Sequence, residues 1–430
     1  FFFDADGKML TGWVTADGND VVNEENEIDK DYTFFCDETG ARVESGWVYT
    51  TEPSTADDDA DADEYWYYLK SSGKVATGKQ SNVKGQGFVF GNKDDNFGQM
   101  LTNWVGGTKD GDSYKYEEIG GEDSVAQLSD YASNGVVYYC MYDEDKADGH
   151  IQKNKWRKTW RPEDAYEEDE DEDKYWYWLE KDGKAYIPES KDVKARGYKY
   201  DLGDGELTTD KEDDVVTFAK KKINSKDYFF NADGEMLSDF VNVVHTEDAN
   251  VIDLGMYYFG GSSDGSMKTG SQTVKDDNGD SFKFYFGTKD NNTTGEAKGK
   301  GVTGNKNNKL YYMGHLVAAE DYKYQPVWYD MDNNGEDDTL FIVNQNGSIQ
   351  HSALEYKEDG DILIDAKTNK VAFKTKNTKD NVWDKYSVLD EENADKLIIN
   401  VEVLDEKVVM PINEVYDPAT PDDASPANAQ

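Results

Sequence analysis

Two cysteines in 430 residues exclude a disulfide scaffold. Each follows an aromatic pair, Cys36 in "FFC" and Cys140 in "YYC", which places both on strands. Two buried thiols is the simpler reading. A disulfide is the alternative and needs Cα atoms within about 7 Å. No run of 18 apolar residues occurs, so no helix of this chain is read as crossing a bilayer. No signal peptide is visible. The opening "FFFDADGKML" reads as the middle of a strand and its turn, so the N-terminus is expected to be cut, with a lost leader left open. Basic residues are also scarce: 46 against 90 acidic, a formal charge of −44. Such a chain repels nucleic acid and anionic membrane surfaces, and neither is an expected partner. Solubility, divalent cations and cationic ligands all suit it.

Catalytic motifs are missing as well. The four histidines, His150, His245, His315 and His351, stand apart, and no HExxH, GxSxG, P-loop or GxGxxG after a strand is present. Ninety carboxylates guarantee some close pairs, but a repeat array offers no deep pocket to organise a glycosidase dyad. The expectation is a protein that is not an enzyme.

Aliphatic residues are few. There are 17 Leu and 13 Ile against 18 Phe, 10 Trp and 29 Tyr, with 38 Gly and only 8 Pro. That balance favours short strands and tight turns. Acidity alone would suit disorder, but rings spread along the whole chain bury much area at little side-chain entropy and argue for order.

A repeat organises these rings. "DGKMLTGW" places Gly7, Met9 and Trp13; "FGQMLTNW" places Gly98, Met100 and Trp104; "DGEMLSDF" places Gly234, Met236 and Phe240. "TGARVESGW" (Gly40, Trp47) and "DGHIQKNKW" (Gly149, Trp156) fit with one extra residue. In "SGKVATGK" and "DGSMKTGS" the aromatic is replaced by Lys79 and Ser271, and "NGSIQHS" with Gly347 is a worn copy. An aromatic strand precedes each turn, as in "YTFFC", "YWYYL", "VVYYC", "YWYWL" and "DYFFN". The unit is therefore an aromatic strand, a Gly turn, a short strand ending at Trp, and a variable connector. Turn glycines from Gly7 to Gly265 are spaced 33, 33, 25, 51, 34, 51 and 31 residues apart, so the long gaps hold inserted connectors. Two such connectors carry acid runs, Asp57 to Glu64 and Glu167 to Asp173. One hairpin cannot bury its aromatic face; stacked hairpins can. Alternation sends neighbouring rings to opposite faces, so one of Trp176 and Tyr177 faces outward.

The predicted fold is all-β: an elongated solenoid or superhelix of stacked β-hairpin repeats with a small C-terminal β module. Residues 1–350 are the repeats, truncated at the N-terminus. Residues 351–416 are a small β module or cap, where "DILIDAKTNKVAFKT" and "KLIINVEVLDEKVVM" are aliphatic strands, and 417–430 are an unstructured Pro/Ala/Asp tail. Only "VAQLSDYA" (Val125 to Ala132) and "LDEENADKL" (Leu389 to Leu397) read as one or two helical turns.

The segments "FFFDADGKMLTGWV", "FFCDETGARVESGWV", "YWYYLKSSGKVATGK" and "YFFNADGEMLSDFV" resemble the cell-wall-binding repeat (choline-binding, glucan-binding) of Gram-positive surface proteins. "YYFGGSSDGSMKTGSQTV" resembles its degenerate form in large surface proteins of gut clostridia. The likeness covers roughly residues 1 to 350. It implies hairpins stacked into a left-handed superhelix with ligand sites between them. The walls would be a Trp of the "GW" strand, an aromatic of the following strand, and a ring or Met of the next unit. Choline would be held there by cation–π attraction, and sugar faces would stack on the same rings. Carried over, the pairs are Trp47 with Trp66, Trp13 with Phe34, and Trp156 with Trp176, while Trp104 keeps the first wall. Packing of the solenoid core is the alternative role for each ring, and core filling for Met9, Met100, Met236 and Met267. Phe240 is a smaller wall; Lys79 and Ser271 remove it, and a lysine in a choline cage would repel the ligand.

Outside the repeats, "YDMDNNGEDDTLFIV" places Asp330, Asp332, Asn334, Glu336 and Asp338 in a D-x-D-x-N-G-x-x-D pattern. Alternate oxygen ligands around a Gly turn can wrap Ca²⁺, although Phe341 stands where an EF-hand has its bidentate Glu. A plain Asx turn is the alternative. The expected function is thus a secreted, non-catalytic protein of a Gram-positive cell surface or cell wall, with choline-substituted teichoic acid or a glycan as partner. No cofactor is required and Ca²⁺ is a candidate. A structural stalk, filament or adhesin engaging other surface protein chains is the second reading. A targeting module of an enzyme whose catalytic part precedes Phe1 is the third.

Overall fold

The structure is a computed structural model. It describes residues 1–17, 20–21, 33–53, 62–120, 127–143, 146–162, 174–210, 212–290, 297–329, 339–350 and 354–365, with the short strands Trp383–Asp384, Ile398–Ile399 and Lys407–Val409. The described residues are β throughout apart from a single 3₁₀ turn, Leu128–Tyr131. Of the helix expected at Val125 to Ala132, the described residues 127–132 contain this one turn. The second expected helix, the acid run Glu167 to Asp173 and the C-terminal tail lie outside the described residues, as does the first acid run up to residue 61, while its last residue, Glu64, opens a strand. The chain divides into two compact units, Phe1–Asp192 with Phe230–Met236, and Val193–Phe229 with Leu237–Gln430.

In the first unit each strand that carries the Trp, or Lys79 in its place, pairs antiparallel with the aromatic strand that follows it. Gly12–Asp17 pairs with Thr33–Cys36, Gly46–Thr51 with Glu64–Leu69, Gly78–Val83 with Gln86–Phe90, Asn103–Asp110 with Gly135–Cys140, and Lys155–Thr159 with Tyr175–Leu179. The connector therefore closes the long hairpin. The Gly turn instead links one hairpin to the next, and beyond it the chain makes only single bridges, such as Cys36↔Arg42, Leu69↔Val75, Phe90↔Met100 and Leu179↔Ala185.

These links also stack the hairpins. The residue two beyond the turn glycine donates its N–H to the preceding aromatic strand: Val75 to the Thr33 carbonyl (3.0 Å), Met100 to Trp66 (2.8 Å), Ala185 to Val137 (2.8 Å) and Met236 to Trp176 (2.9 Å). The second unit uses the same device at Met267 to Asp227 (2.8 Å) and, on a longer turn, at Gly301 to Met256 (2.7 Å). Backbone bonding thus fixes the step, and rings fill the space between steps.

The turn is a three-residue loop rather than a two-residue one. Asp37 receives the Gly40 N–H and donates to the Ala41 carbonyl, and Asn231, Gly234 and Glu235 repeat the arrangement. The first residue's side-chain oxygen also accepts two backbone N–H bonds, as at Asp37 from Thr39 and Ala41 and at Asn231 from Asp233 and Glu235. The third loop residue must be left-handed, which is why it is glycine. Gly234 has φ +78° and a Cβ there would lie 2.2 Å from the Tyr186 carbonyl oxygen. Gly234→Ala is therefore expected to cost more than about 2 kcal/mol through strain and clash together. Urea denaturation checks this, and a loss within about 0.5 kcal/mol would refute the turn assignment.

A second left-handed residue precedes the Trp-bearing strand. It is Gly12, Gly78, Asn103, Asp239 or Gly270 where the aromatic or its substitute follows at once, and Ser45 or Asn154 in the two copies with an extra residue. Gly, Asn and Asp are the types that tolerate this geometry best. Burial raises the Asp239 carboxyl above its ordinary value, against the Ser238 hydroxyl bond, which lowers it. A carboxyl raised by burial is no burden while protonated, and it costs stability as pH rises through its folded-state pKa. Asp239→Asn keeps the left-handed preference and is expected to raise Tm at pH 7. The gain should vanish below the ordinary carboxylate range, near pH 4. A gain independent of pH would show that ionisation is not its cause.

The second unit departs from simple hairpins. Strand Lys194–Gly203 lies between Val215–Ile223 and Phe240–Thr246, and Gly255–Tyr258 extends the sheet on the far side of Phe240–Thr246. Gly270–Lys275 pairs with Ser281–Phe286. Further along, Tyr324–Tyr329 and Thr339–Asn344 form a hairpin to which Trp383–Asp384 and Lys407–Val409 add, while Glu355–Glu358, Asp361–Asp365 and Ile398–Ile399 make a separate three-stranded sheet.

Candidate functional site

The stacking bonds align the aromatic strands residue for residue: Thr33 to Cys36, Trp66 to Leu69, Gly87 to Phe90, Val137 to Cys140, and Trp176 to Leu179. Under this alignment one grouping recurs at three Trp steps. The Trp after the left-handed residue meets the third residue of its own aromatic strand, directly across the hairpin. It then meets the second residue of the next aromatic strand. Trp13 lies 5.2 Å from Phe35 and 4.8 Å from Tyr67. Trp47 lies 5.1 Å from both Tyr68 and Phe88. Trp104 lies 5.1 Å from Tyr139 and 4.7 Å from Tyr177. In the second unit Phe240 repeats the pattern with Tyr258 at 4.5 Å and Phe284 at 4.9 Å. The contact with the next strand is edge-to-face for all three Trp, the geometry that ring quadrupoles favour.

These groups differ in how they meet solvent. Trp104 is 1% exposed and Phe240 2%, so both are core. The Trp104 indole N–H donates to the Trp160 carbonyl at 3.0 Å, and that of Trp13 to the Thr51 carbonyl at 2.9 Å. In both cases the acceptor ends the Trp-bearing strand of the following hairpin, where a long connector begins. The hairpin after Trp47 has no long connector. Val83 faces Gln86 across a two-residue turn whose Lys84 and Gly85 both have positive φ, the tight I′ type. Among the described residues the Trp47 indole N–H has no acceptor. Its face stays open and continues into Trp66, 6.5 Å away, and Tyr49, which is 5.1 Å from Trp66 and 50% exposed. Trp47, Trp66 and Tyr68 are partly buried and rest on a floor of Ala76, Val83, Phe88, Phe90 and Met100. This is an open aromatic groove with a free indole donor, on rigid strands.

The expected partners shift along the strand in two places, by one residue for Trp13 and by two for Trp156. Trp13 meets Phe35 rather than Phe34. Phe34 lies across from Val14 on the other face, 8% exposed, against Phe2. Trp156 meets Trp178 at 5.3 Å and stacks on Phe230 at 5.8 Å, whereas Trp176 lies across from Lys158. The one-residue difference puts Phe34 on the opposite face, whereas Trp176 and Trp178 share a face and the Trp156 partner moves along it. The expected alternation is present: Tyr177 is 1% exposed and Trp176 is partly open. Trp47 and Trp66 do share a face. Sequence reading missed Tyr49, Tyr68 and Phe88; the signal available for the two tyrosines was strand alternation, since Tyr49 lies two residues from Trp47 and Tyr68 two from Trp66.

The proposed calcium loop, Asp330, Asp332, Asn334, Glu336 and Asp338, lies outside the described residues. Among the described residues no group of three His, Cys, Asp or Glu is placed to hold a metal. Cys36 and Cys140 are each buried and unpaired, and burial pushes both thiols up. A polar cleft of about 340 Å³ in the second unit holds the buried Asp227 between Lys298 (2.8 Å) and Lys222 (3.9 Å). That carboxylate is already matched by ammonium groups.

No family and no curated protein matches this chain. Among solved structures, similarity is found to choline-binding protein F of Streptococcus pneumoniae in the presence of a peptidoglycan analogue, at 17% identity over 72% of this chain and 87% of that one, with a TM-score of 0.25. The same protein with ipratropium gives 18% identity over 79% and 99% and a TM-score of 0.30. CbpJ of the same organism gives 16% over 81% and 89%, with a TM-score of 0.27. Scores this low carry no argument about function, and the side chains must supply it.

Proposed function

We propose that this chain is a non-catalytic protein of a Gram-positive cell surface that binds choline-substituted teichoic acid, or a cell-wall or extracellular glycan, through the groove of Trp47, Tyr49, Trp66 and Tyr68. The observation that carries this reading is that Trp47, alone among Trp13, Trp47 and Trp104, combines a partly open face with an indole N–H that has no acceptor among the described residues. A quaternary ammonium would be held against these ring faces, and a sugar would stack on them and accept the indole N–H. The charge of −44 favours a cationic ligand over an anionic one. No described helix is long and apolar enough to cross a membrane, in keeping with attachment from outside.

Retention on choline resin and on purified cell wall, with free choline as competitor, tests the reading. Release by choline identifies the ammonium; retention on wall that choline leaves untouched identifies a glycan. Absence from both matrices sinks the proposal. Concentration-dependent assembly would then favour the second reading, a structural stalk or adhesin. The specific observation behind that alternative is that Trp104 and Phe240 are sealed into the core, so those steps offer no groove.

A further inference from the structure

Lys79 stands where the other steps have a ring. It follows the left-handed Gly78 as Trp13 follows Gly12, and it lies across its hairpin from Val89, in the place of Tyr68 and Tyr139. The ring ahead of it is Tyr138, which the stacking bonds place in line with Tyr67, Phe88 and Tyr177. The Lys79 side chain reaches that ring. Its Nζ lies 4.2 Å from the Tyr138 centroid, donates to the Tyr138 hydroxyl at 2.9 Å and donates to the Asp182 carbonyl at 3.1 Å.

The chemistry of this shell is informative. In a chain with 90 acidic residues against 46 basic, carboxylates are the commonest partners open to a lysine. Here both hydrogen-bond acceptors are neutral and the third contact is a ring face. The nearby Asp182 carboxylate pairs instead with Lys184 at 3.5 Å. A ring, a hydroxyl and a carbonyl are the components of a site that recognises an ammonium by cation–π attraction and hydrogen bonding rather than by ion pairing. Burial depresses the Lys79 amine below the ordinary lysine value, as expected for an ammonium held away from water.

We propose that the groove at Tyr138 is a primary-ammonium site and that Lys79 is its resident ligand. The chain thereby closes this step with its own cation, tying the Gly78–Val83 hairpin to Tyr138 and to the Asp182 turn, and denies the step to any external ligand. Lysine is then not a lost wall that repels a cation but a tethered cation that occupies the site. The inference goes beyond the reading of Trp47 and does not require that the chain bind anything at that groove.

Truncation with chemical rescue tests it. Lys79→Ala removes the atoms of propylammonium and should lower Tm. Propylammonium chloride should raise the Tm of that variant by about 2–4 °C at ten times its Kd. The wild type and Lys79→Met, whose stems fill the groove, should not respond. 1-Propanol at equal concentration, in potassium chloride of matched ionic strength, should not rescue. Equal rescue by propanol would show a mere cavity and overturn the proposal, as would no rescue by either. If Lys79→Ala does not fold unaided, refolding yield replaces Tm: recovery in propylammonium but not in propanol supports the site. Failure to recover while Lys79→Met folds overturns it.

Discussion

Trp104→Ala is expected to lower the unfolding free energy by about 3–5 kcal/mol while leaving retention on choline resin or cell wall unchanged. Trp104 is 1% exposed and packs edge-on against Tyr139 and Tyr177, at 5.1 and 4.7 Å. It sits in one cluster with Ile119, Leu128, Val137, Leu179 and Ile187. Truncation empties a space that strands held by stacking bonds on both sides cannot collapse into, so a cavity cost adds to the lost transfer energy. It also strips the partly buried Trp160 carbonyl of its indole donor at 3.0 Å, an additional loss of about 1 kcal/mol. Urea denaturation followed by near-ultraviolet circular dichroism measures the loss. A change under about 1 kcal/mol would mean that Trp104 is not the keystone its burial indicates.

Trp47→Ala should do the reverse. Retention on the matrix that holds the wild type is expected to fall at least about tenfold, worth about 1.4 kcal/mol, in line with one ring of a partly desolvated cation or sugar contact. The stability cost should be the smaller of the two, because Trp47 is only partly buried and the floor of Phe88, Phe90 and Met100 stays in place. Trp66→Ala, next along the same face, should weaken retention in the same direction. Binding assays and urea midpoints on both Trp47→Ala and Trp104→Ala give a two-by-two comparison. If Trp47→Ala loses stability as Trp104→Ala does and keeps full retention, the groove is packing and the structural reading prevails.

Lys79 shows how far equivalence along a repeat can mislead. By residue type it is a site destroyed; by position it is a site filled, because the side chain reaches 4.2 Å from the Tyr138 ring. The same habit recurs elsewhere in the described residues. Arg157 lies over Tyr139 at 4.6 Å, Arg161 over Tyr175 at 4.2 Å and Lys174 over Trp160 at 3.9 Å. Few bases in an acidic chain are thus drawn to rings as well as to carboxylates. Arg161 does both, since it also clamps the buried Glu235 at 2.6 Å.

The sequence by itself determined the β class, the hairpin repeat, the turn glycines and the aromatic character of every step. These are local properties. A left-handed turn position demands glycine, period-two strands put alternate rings on opposite faces, and a hairpin with an uncovered aromatic face must stack. It also named Trp47 and Trp66, because a strong repeat marks its own aromatic positions. Only the tertiary structure decided which ring meets which. Cross-strand register turns on one or two residues, so Trp13 takes Phe35 and not Phe34, and Trp156 takes Trp178 and not Trp176, two positions back on the same face. Only the structure decided which positions are open. Trp47 stays partly open where the next hairpin turns tightly at Lys84-Gly85, about 40 residues further along the chain, and Trp104 is sealed by Tyr139, by Tyr177 and by the Trp160 carbonyl. A repeat motif records the ring that a step needs; what covers that ring comes from the neighbouring step, which the motif does not contain.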